Sequence, residues 1–156
     1  MFRMMRRKKQ ELPHEECIQL LQQQKRGFLA VLGDENYPYA IPLNYVYSNN
    51  KIYFHSAQEG HMIDSIKKHE KVSFTLINNG TKVNDDWYYI VKSVIIFGKI
   101  KILENNEEKH KILTKLGNKY FPSEDYTKNE INKAFTRTQV LELQIEHISG
   151  KIVTEK

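Results

Sequence analysis

The chain has 156 residues, a size that suits one domain and is too short for two comfortable ones. Hydrophobic residues make up 40% of it and charged residues 28%, which is a globular composition and excludes a disordered or fibrous protein. The formal net charge is +5, yet five basic residues lie among the first nine, and the remaining 19 basic residues match the 19 acidic ones. The excess charge therefore belongs to a basic N-terminal arm, residues 1–12 of a single domain 1–156. This pattern favours a solvated arm and disfavours nucleic-acid binding.

The single cysteine, Cys17, allows no intrachain disulfide and indicates a reducing compartment. Its apolar neighbours indicate a packed side chain rather than a reactive thiolate. The first residues lack the apolar core of a signal peptide, and no apolar run approaches the ~20 residues of a membrane helix. We therefore expect a cytoplasmic protein that does not contact a membrane.

A short helix and an apolar strand are the first predicted elements. Residues 15–24 predict the helix, with Pro13 near its start and Gly27 beyond its end. The run 27–32 is short and apolar nearly throughout, so it predicts a strand that is buried on both faces. A polar turn then leads into the next segment.

The segment that follows predicts a β-hairpin. Residues 39–47 alternate between two kinds of side chain, as a pleated strand with two different faces requires. Asn49 and Asn50 tolerate the left-handed backbone of a tight turn. Residues 51–56 then form the returning strand. Together with the first strand, the hairpin predicts an antiparallel meander.

The rest of the chain predicts three helices and three more strands. An amphipathic helix over 61–69 precedes an alternating strand over 71–77 and an exposed polar loop. Residues 87–104 form the longest strand-like segment, and Gly98 within it permits a bulge or bend. The segments after it predict an amphipathic helix over 106–120, a short helix over 128–135 and a last strand over 140–148. Six strands in hairpin order indicate a mainly β (α+β) fold, a six-stranded antiparallel split β-barrel with a few peripheral helices.

An anion site is predicted where the hairpin ends and the next helix begins. Ser56, Ala57 and Gly60 are small residues that let a ligand approach the backbone, and a helix N-terminus exposes unpaired N–H groups. Ser56 and His61 add donors at short spacing. The local sequence leaves a second interpretation open, in which Ser56 only caps the helix and His61 lies in solvent.

His55 is the candidate catalytic residue. The pleat points its imidazole away from Phe54, and a neutral imidazole can bind substrate or transfer a proton near neutral pH. The alternative is a buried histidine that is hydrogen-bonded to a backbone carbonyl. The six histidines are scattered without a recurring ligand spacing, so we expect no metal. The sequence also contains no motif of a nucleotide-binding fold or a hydrolase.

Five stretches carry a resemblance to a known family. They are MRRKKQEL near the start, GFLAVLGDENYPYAIPLNYVY, KIYFHSAQEGHMIDSIKK, SVIIFGK and the closing HISGK. In this order they resemble the pyridoxamine 5'-phosphate oxidase-related flavoproteins, and among these most closely the 5-nitroimidazole resistance proteins. The resemblance implies a split β-barrel that binds FMN and works as a homodimer, with the flavin at the subunit interface.

The resemblance also implies a set of cofactor-binding residues. One group matches the strand along the flavin ring: Pro42, Leu43, Asn44 and Tyr45. A second group matches the segments beside the ribityl chain and the phosphate: His55, Ser56, Ala57, Gly60 and His61. Ser93 and Val94 match the strand that completes the pocket. Met62 is a departure, because many relatives have Lys or Arg there, and it puts one phosphate contact in doubt.

These observations lead to two main hypotheses about function. The first is an enzyme, an FMN-dependent oxidoreductase that reduces a small, flat, electron-poor molecule such as a nitroaromatic. The second is a flavin-binding module without turnover, which serves storage or regulation. Nucleic-acid binding through the basic arm is a third and weaker interpretation. The sequence does not identify the substrate or the electron donor.

Overall fold

The computed structural model describes residues 1–156 and contains four helices and eight strands. The helices are α1 (His14–Gln23), α2 (His61–Lys68), α3 (Asn106–Tyr120) and α4 (Glu124–Ala134). The strands are β1 (Arg26–Leu32), β2 (Pro38–Asn44), β3 (Val46–Ser48), β4 (Lys51–Ser56), β5 (Lys71–Ile77), β6 (Thr81–Lys82), β7 (Tyr89–Ile102) and β8 (Gln139–Thr154). No helix combines the length and the apolar character that crossing a membrane requires.

All the strands form one antiparallel sheet in the order β2-β1-β5-β7-β8-β4-β3, and β6 pairs with the start of β7. β2 and β3 are consecutive in the chain but lie at opposite ends of this order, so the sheet curls back on itself as a half-barrel. The predicted class, mainly β with a split-barrel-like antiparallel sheet, is confirmed. The predicted count of six strands is wrong. The strand expected at 39–47 is interrupted at Tyr45, and the polar loop that follows β5 contains β6.

The two longest strands, β7 and β8, pair along nearly their whole length. Their register shifts between Phe97 and Gly98, which confirms the bend predicted at this glycine. A Cβ atom at position 98 would lie 2.1 Å from the carbonyl oxygen of Gln144, a separation that real side chains do not show. Only glycine allows the two backbones to approach this closely.

The main core fills the concave side of the sheet. Leu29, Phe74 and Ile96 lie opposite one another on β1, β5 and β7, and all three are fully buried. The Tyr45 ring meets the Phe74 ring edge to face, with 5.0 Å between the ring centroids. α1 and α2 contribute Leu21 and Ile63 to the same core. A smaller apolar cluster lies beneath α3 and α4.

The convex side of the sheet is apolar, and within one chain only the N-terminal arm covers part of it. Phe28, Ile95 and Phe97 are 50%, 44% and 42% exposed. The prediction that residues 27–32 are buried on both faces is therefore wrong for the single chain, where β1 buries alternate residues only. Phe2 of the N-terminal arm lies on this side and stacks on His147, with 4.7 Å between the ring centroids.

Candidate functional site

A cavity of about 400 Å³ lies between α3, α4 and the sheet. This volume falls within the range of about 300 to 1,000 Å³ that is typical of small-molecule sites. Most of the wall is hydrophobic, and a few polar groups interrupt it. The lining residues are Asn44, His55, Leu113, Leu116, Gly117, Tyr120, Phe121, Glu130, Ile131, Ala134, Phe135 and Thr138.

The two helices are placed by caps and by one close contact. The side chain of Asn105 accepts a hydrogen bond from the Glu108 N–H at the start of α3, and Ser123 does the same for Tyr126 in α4. Gly117 lets α4 approach α3, because a Cβ atom there would lie 2.4 Å from Cγ2 of Thr127. The cavity wall is therefore set by contacts that are distant in the sequence.

A group of buried polar contacts joins α3 to the bend between β2 and β3. The Tyr120 hydroxyl accepts a hydrogen bond from the Tyr45 N–H at 2.9 Å, and the Lys119 ammonium donates to the Tyr45 carbonyl at 2.9 Å. The Tyr45 hydroxyl donates to the carbonyl of Leu21 at 2.6 Å. Burial, and to a lesser degree the charge of Lys25, lowers the pKa of Lys119 to about 8. These contacts hold the neighbouring Asn44 at the cavity.

His55 lies on β4 opposite Val140, and its side chain lines the cavity. Desolvation by the surrounding protein lowers the pKa of the imidazole below its ordinary value of 6.5. The residue is nevertheless exposed, so this desolvation is partial. The side-chain hydrogen bonds of the protein do not include His55. The alternative of a buried histidine bound to a carbonyl is therefore wrong, and the imidazole is free for a ligand.

The loop between β4 and α2 leaves the start of α2 open. Gly60 occupies the cap position with a positive φ of 135°, and no side chain caps the helix. Ser56 is not the cap, because its hydroxyl donates to the neighbouring Ala57 carbonyl at 2.8 Å. No heavy atom lies within 4 Å of the position that a Cβ would take at Gly60. The space beside Gly60 is therefore open, and no side chain caps the first N–H groups of α2.

His61 connects α2 to the turn between β1 and β2. Its Nε2 accepts a hydrogen bond from the Asp34 N–H at 3.1 Å, and its ring stacks on Tyr39 with 4.3 Å between centroids. His61 is exposed, as the second interpretation expected, but Asp34 and Tyr39 hold its ring in place. The next residue, Met62, is partly buried and packs against the main core. Its side chain supplies apolar contact and no charge at the start of α2.

The remaining predicted residues are not brought together within one chain. Tyr45 and Val94 are fully buried, so only their backbone atoms are available to a ligand, and Leu43 packs against the core. Pro42 pairs with Phe28 and lies on the convex side of the sheet. Ser93 lines a second cavity, beside the N-terminal arm.

Ser93 is far from His55 along the sheet. Ser93 pairs with Lys151 and His55 with Val140, so their partners are eleven residues apart on β8. At about 3.3 Å per residue this is a path of roughly 35 Å along the strand. Within one chain, Asn44 and His55 therefore line one cavity, and Ser93 lines another that is distant from it.

Sequence reasoning missed most of the cavity wall. Leu113 and Leu116 were predicted to lie on the apolar face of a helix, but nothing local indicated that this face borders a cavity. Lys119 and Tyr120 end the same helix, and their contacts with Tyr45 span more than 70 residues. No group of three or more His, Cys, Asp or Glu side chains is placed to hold a metal ion.

The family model for pyridoxamine 5'-phosphate oxidase matches residues 13–152, so the chain belongs to this family. This confirms the resemblance drawn from the sequence. No curated protein sequence matches the chain. Among solved structures it is similar to a protein from Bacteroides thetaiotaomicron described as a 5-nitroimidazole antibiotic resistance protein. That match has 21% identity and a TM-score of 0.77, and it covers 92% of this chain and 87% of the other.

Two further neighbours are flavoproteins by name. A FAD-binding protein from Mesorhizobium loti has 23% identity and a TM-score of 0.68, and the match covers 92% of this chain and 96% of that one. A FAD-binding protein from Mycobacterium smegmatis has 18% identity and a TM-score of 0.69, with 94% and 99% covered. At these identities the likeness establishes the shared fold.

The lowered pKa of His55 predicts a dependence of stability on pH. As the pH falls below about 6.5, the unfolded chain binds a proton at this position before the folded protein does. The free energy of unfolding should therefore decrease on the acid side of pH 6.5 and be unaffected by this group above it. Urea unfolding of the wild type and of His55→Gln between pH 7.5 and 5 measures the effect. The variant should lose less stability on acidification, whereas the exposed control His14→Gln should follow the wild type. An unchanged acid slope in His55→Gln would contradict the prediction.

Proposed function

We propose that the protein is an FMN-binding flavoprotein that acts as an oxidoreductase on a small, electron-poor molecule, in the manner of a nitroimidazole reductase. The observation that carries the proposal is the convergence of Asn44 and His55 in an apolar cavity of a chain from this family. The names of the neighbours that bind FAD support a flavin as the cofactor. The lone, buried Cys17 supports a reducing, cytoplasmic setting.

The residues of the cavity fit a flavin or a flat substrate beside it. Leu113, Leu116 and Phe135 offer an apolar wall to a planar ring, and the Asn44 amide offers both a donor and an acceptor to its polar edge. The flavin, when bound, supplies the redox chemistry. The protein controls access, orientation and hydrogen bonding around it.

His55 is the proposed catalytic residue. Its lowered pKa keeps the imidazole neutral at neutral pH, so one ring nitrogen donates and the other accepts a hydrogen bond. Because no protein group occupies either nitrogen, His55 can orient a substrate in the cavity or supply a proton to it. Asn44 holds the opposite side of the same space, fixed by the contacts of the adjacent Tyr45.

The phosphate of FMN is proposed to bind at the start of α2. The N–H groups that follow Gly60 have no side-chain cap, the space beside Gly60 is open, and a helix N-terminus favours an anion. Ser56 lies at the entrance of the same loop, and rotation of its hydroxyl away from the Ala57 carbonyl would let it donate to a phosphate oxygen. Ala57 leaves room for this approach.

A homodimer is the proposed assembly. The convex side of the sheet leaves Phe28, Ile95 and Phe97 exposed, and monomeric proteins seldom expose a large continuous apolar patch. Small residues lie on the strands beside these apolar side chains. Ala30 pairs with Ala40 and Ser73, and Ile95 pairs with Ser149. A second copy would bury this face and bring the separated Ser93 within reach of a shared site.

The visible spectrum of the purified protein is the first test of the function. A flavin band that survives gel filtration supports flavin as the cofactor. Anaerobic addition of NADH or NADPH should then bleach this band, and addition of a 5-nitroimidazole should restore it, if the protein is an oxidoreductase. His55→Gln should retain the band and slow the recovery at least about a hundredfold, the lower end of the contribution of a proton-transferring group. Free FMN at equal concentration gives the uncatalysed rate. A stable flavin band without turnover favours the storage or regulatory module, and a colourless protein that does not bind added flavin refutes the proposal.

Ser56→Ala tests the phosphate position. Losing one charge-assisted hydrogen bond costs about 1.5 to 3 kcal/mol, which is roughly a ten- to hundredfold weaker affinity for FMN. Riboflavin lacks the phosphate, so its affinity should not change. Fluorescence titration of both ligands measures the difference, with Ser48→Ala at the far end of the hairpin as the control variant. Equal weakening of FMN and riboflavin, or no weakening, would show that Ser56 does not bind the phosphate.

Light scattering tests the assembly. The wild type should have a mass of about 37 kDa at micromolar concentration, twice the 18.5 kDa of the chain. Ile95→Asp places a charge in the centre of the proposed interface and should shift the mass to that of a monomer, because an unpaired buried carboxylate is costly. Lys128→Asp on the exposed side of α4 is the control and should stay dimeric. A monomeric wild type that still binds flavin would contradict the proposed interface.

A further inference from the structure

A second cavity, of about 370 Å³, lies between the N-terminal arm and the end of β8. Its two walls are joined by backbone contacts. The Leu12 N–H donates to the Gly150 carbonyl at 2.9 Å, and Glu11 forms a β-bridge with Lys151. The arm is therefore fastened to the sheet directly beside the cavity at Glu11 and Leu12, while its basic residues are exposed.

The cavity concentrates positive charge that the protein does not neutralise. Arg3 and Lys8 line it from the arm, and Lys151 lines it from β8. None of these three takes part in an ion pair within 4.0 Å, although eight such pairs occur elsewhere in the protein. Glu11 is the only carboxylate in the lining. Three cations around one small space, with one opposing charge, favour an anionic ligand.

The other groups in the lining define the kind of anion. Ser93 and Ser149 contribute hydroxyl groups that can donate to anionic oxygens, as phosphate sites require. Met4, Met5 and Ile95 contribute apolar surface on the remaining wall. A small inorganic ion would use only the polar part of this lining. An organic phosphate would use both parts.

We propose that this cavity binds the phosphate group of an organic phosphate, with Arg3, Lys8 and Lys151 as its cationic contacts. The ligand is a nucleotide other than the flavin, such as a reduced dinucleotide that donates electrons, because the flavin phosphate is proposed to bind at the start of α2. The inference does not depend on flavin binding, because phosphates without a flavin are among the probes.

The experiment compares two double variants of the full-length protein that lose the same charge from the same arm. Arg3→Gln/Lys8→Gln removes the two cations that line the cavity, and Arg7→Gln/Lys9→Gln removes two that do not. Calorimetric titrations with inorganic phosphate, ADP, FMN and riboflavin are run at constant ionic strength. Arg3→Gln/Lys8→Gln should weaken ADP about ten- to hundredfold, as the loss of a charge-assisted contact predicts. Riboflavin should be unaffected.

The outcomes separate the possible ligands. Weaker ADP with unchanged FMN assigns the cavity to a nucleotide other than the flavin, and Lys151→Gln, which lies outside the arm, should reproduce this pattern. Weaker FMN with unchanged ADP would place the flavin phosphate here instead of at the start of α2 and would overturn the proposal. Equal effects of the two double variants on every phosphate, or no effect, would overturn the proposal. A DNA duplex is titrated as a further probe. If both double variants weaken only the binding of DNA, the arm is a non-specific basic segment and the proposal is overturned. A protein that binds ADP but not riboflavin would refute the flavin proposal and leave this one standing.

Discussion

The long pairing between β7 and β8 is the constraint on which the rest of the structure depends. β7 carries β5 on its other side, and β8 carries β4, so every strand of the sheet is attached to this pair directly or through one neighbour or two. The shift of register at Gly98 bends both strands where the sheet curls, and the contact with Gln144 excludes any side chain there. Without this bend, β3 and β4 would not turn back toward β2. The cavity beneath α3 and α4 would then lose the wall that holds His55.

A second set of contacts converts the curled sheet into a site. The chain leaves β2 and enters β3 through Tyr45, whose ring fills the core while its backbone N–H and carbonyl bind the end of α3. The two ends of the sheet and the helix therefore meet at one residue. Burial of the charged Lys119 there is compensated by two backbone carbonyls and by the face of the Tyr45 ring, 3.9 Å away. The same contacts fix the position of Asn44, which precedes Tyr45 in the chain.

The local sequence pattern was sufficient to predict most helices and strands but not the cavity. α3 spans the predicted 106–120, because Asn105 supplies a cap signal and the apolar spacing is helical. β5 spans the predicted 71–77, because its buried residues alternate as in a pleated strand. β8 extends to Thr154, beyond the predicted end at residue 148, because pairing with β7 continues through Ser149 and Gly150, two residues that locally favour a turn.

The position of the site could be predicted only through the family resemblance. The turn at Asn49 and Asn50 and the helix start at residue 61 were predicted correctly, but residues 42–44 lie in β2, which pairs with β1 and not with the returning strand β4. The roles of these residues also differ in ways that the sequence does not show. Tyr45 reads as an ordinary strand residue, yet its side chain is fully buried and hydrogen-bonded to α1. The approach of α4 to α3 depends on Gly117 meeting Thr127, a contact between helices that no periodicity encodes. The cavity is a product of such distant contacts, so no local signal predicts its wall.

The placement of the two cavities gives a geometric reason for a symmetric pair. His55 lies beside the start of β8 and Ser93 beside its far part, on a strand of sixteen residues. A twofold axis perpendicular to β8 would reverse the strand direction between the two copies, so the start of one β8 would approach the far part of the other. Each cavity that contains His55 would then receive Ser93 and its cationic surroundings from the second copy, and the two composite sites would be equivalent. The apolar convex face, which includes Ile95 and Phe97 on the strand beside β8, lies between these places and is the surface that such an arrangement would bury.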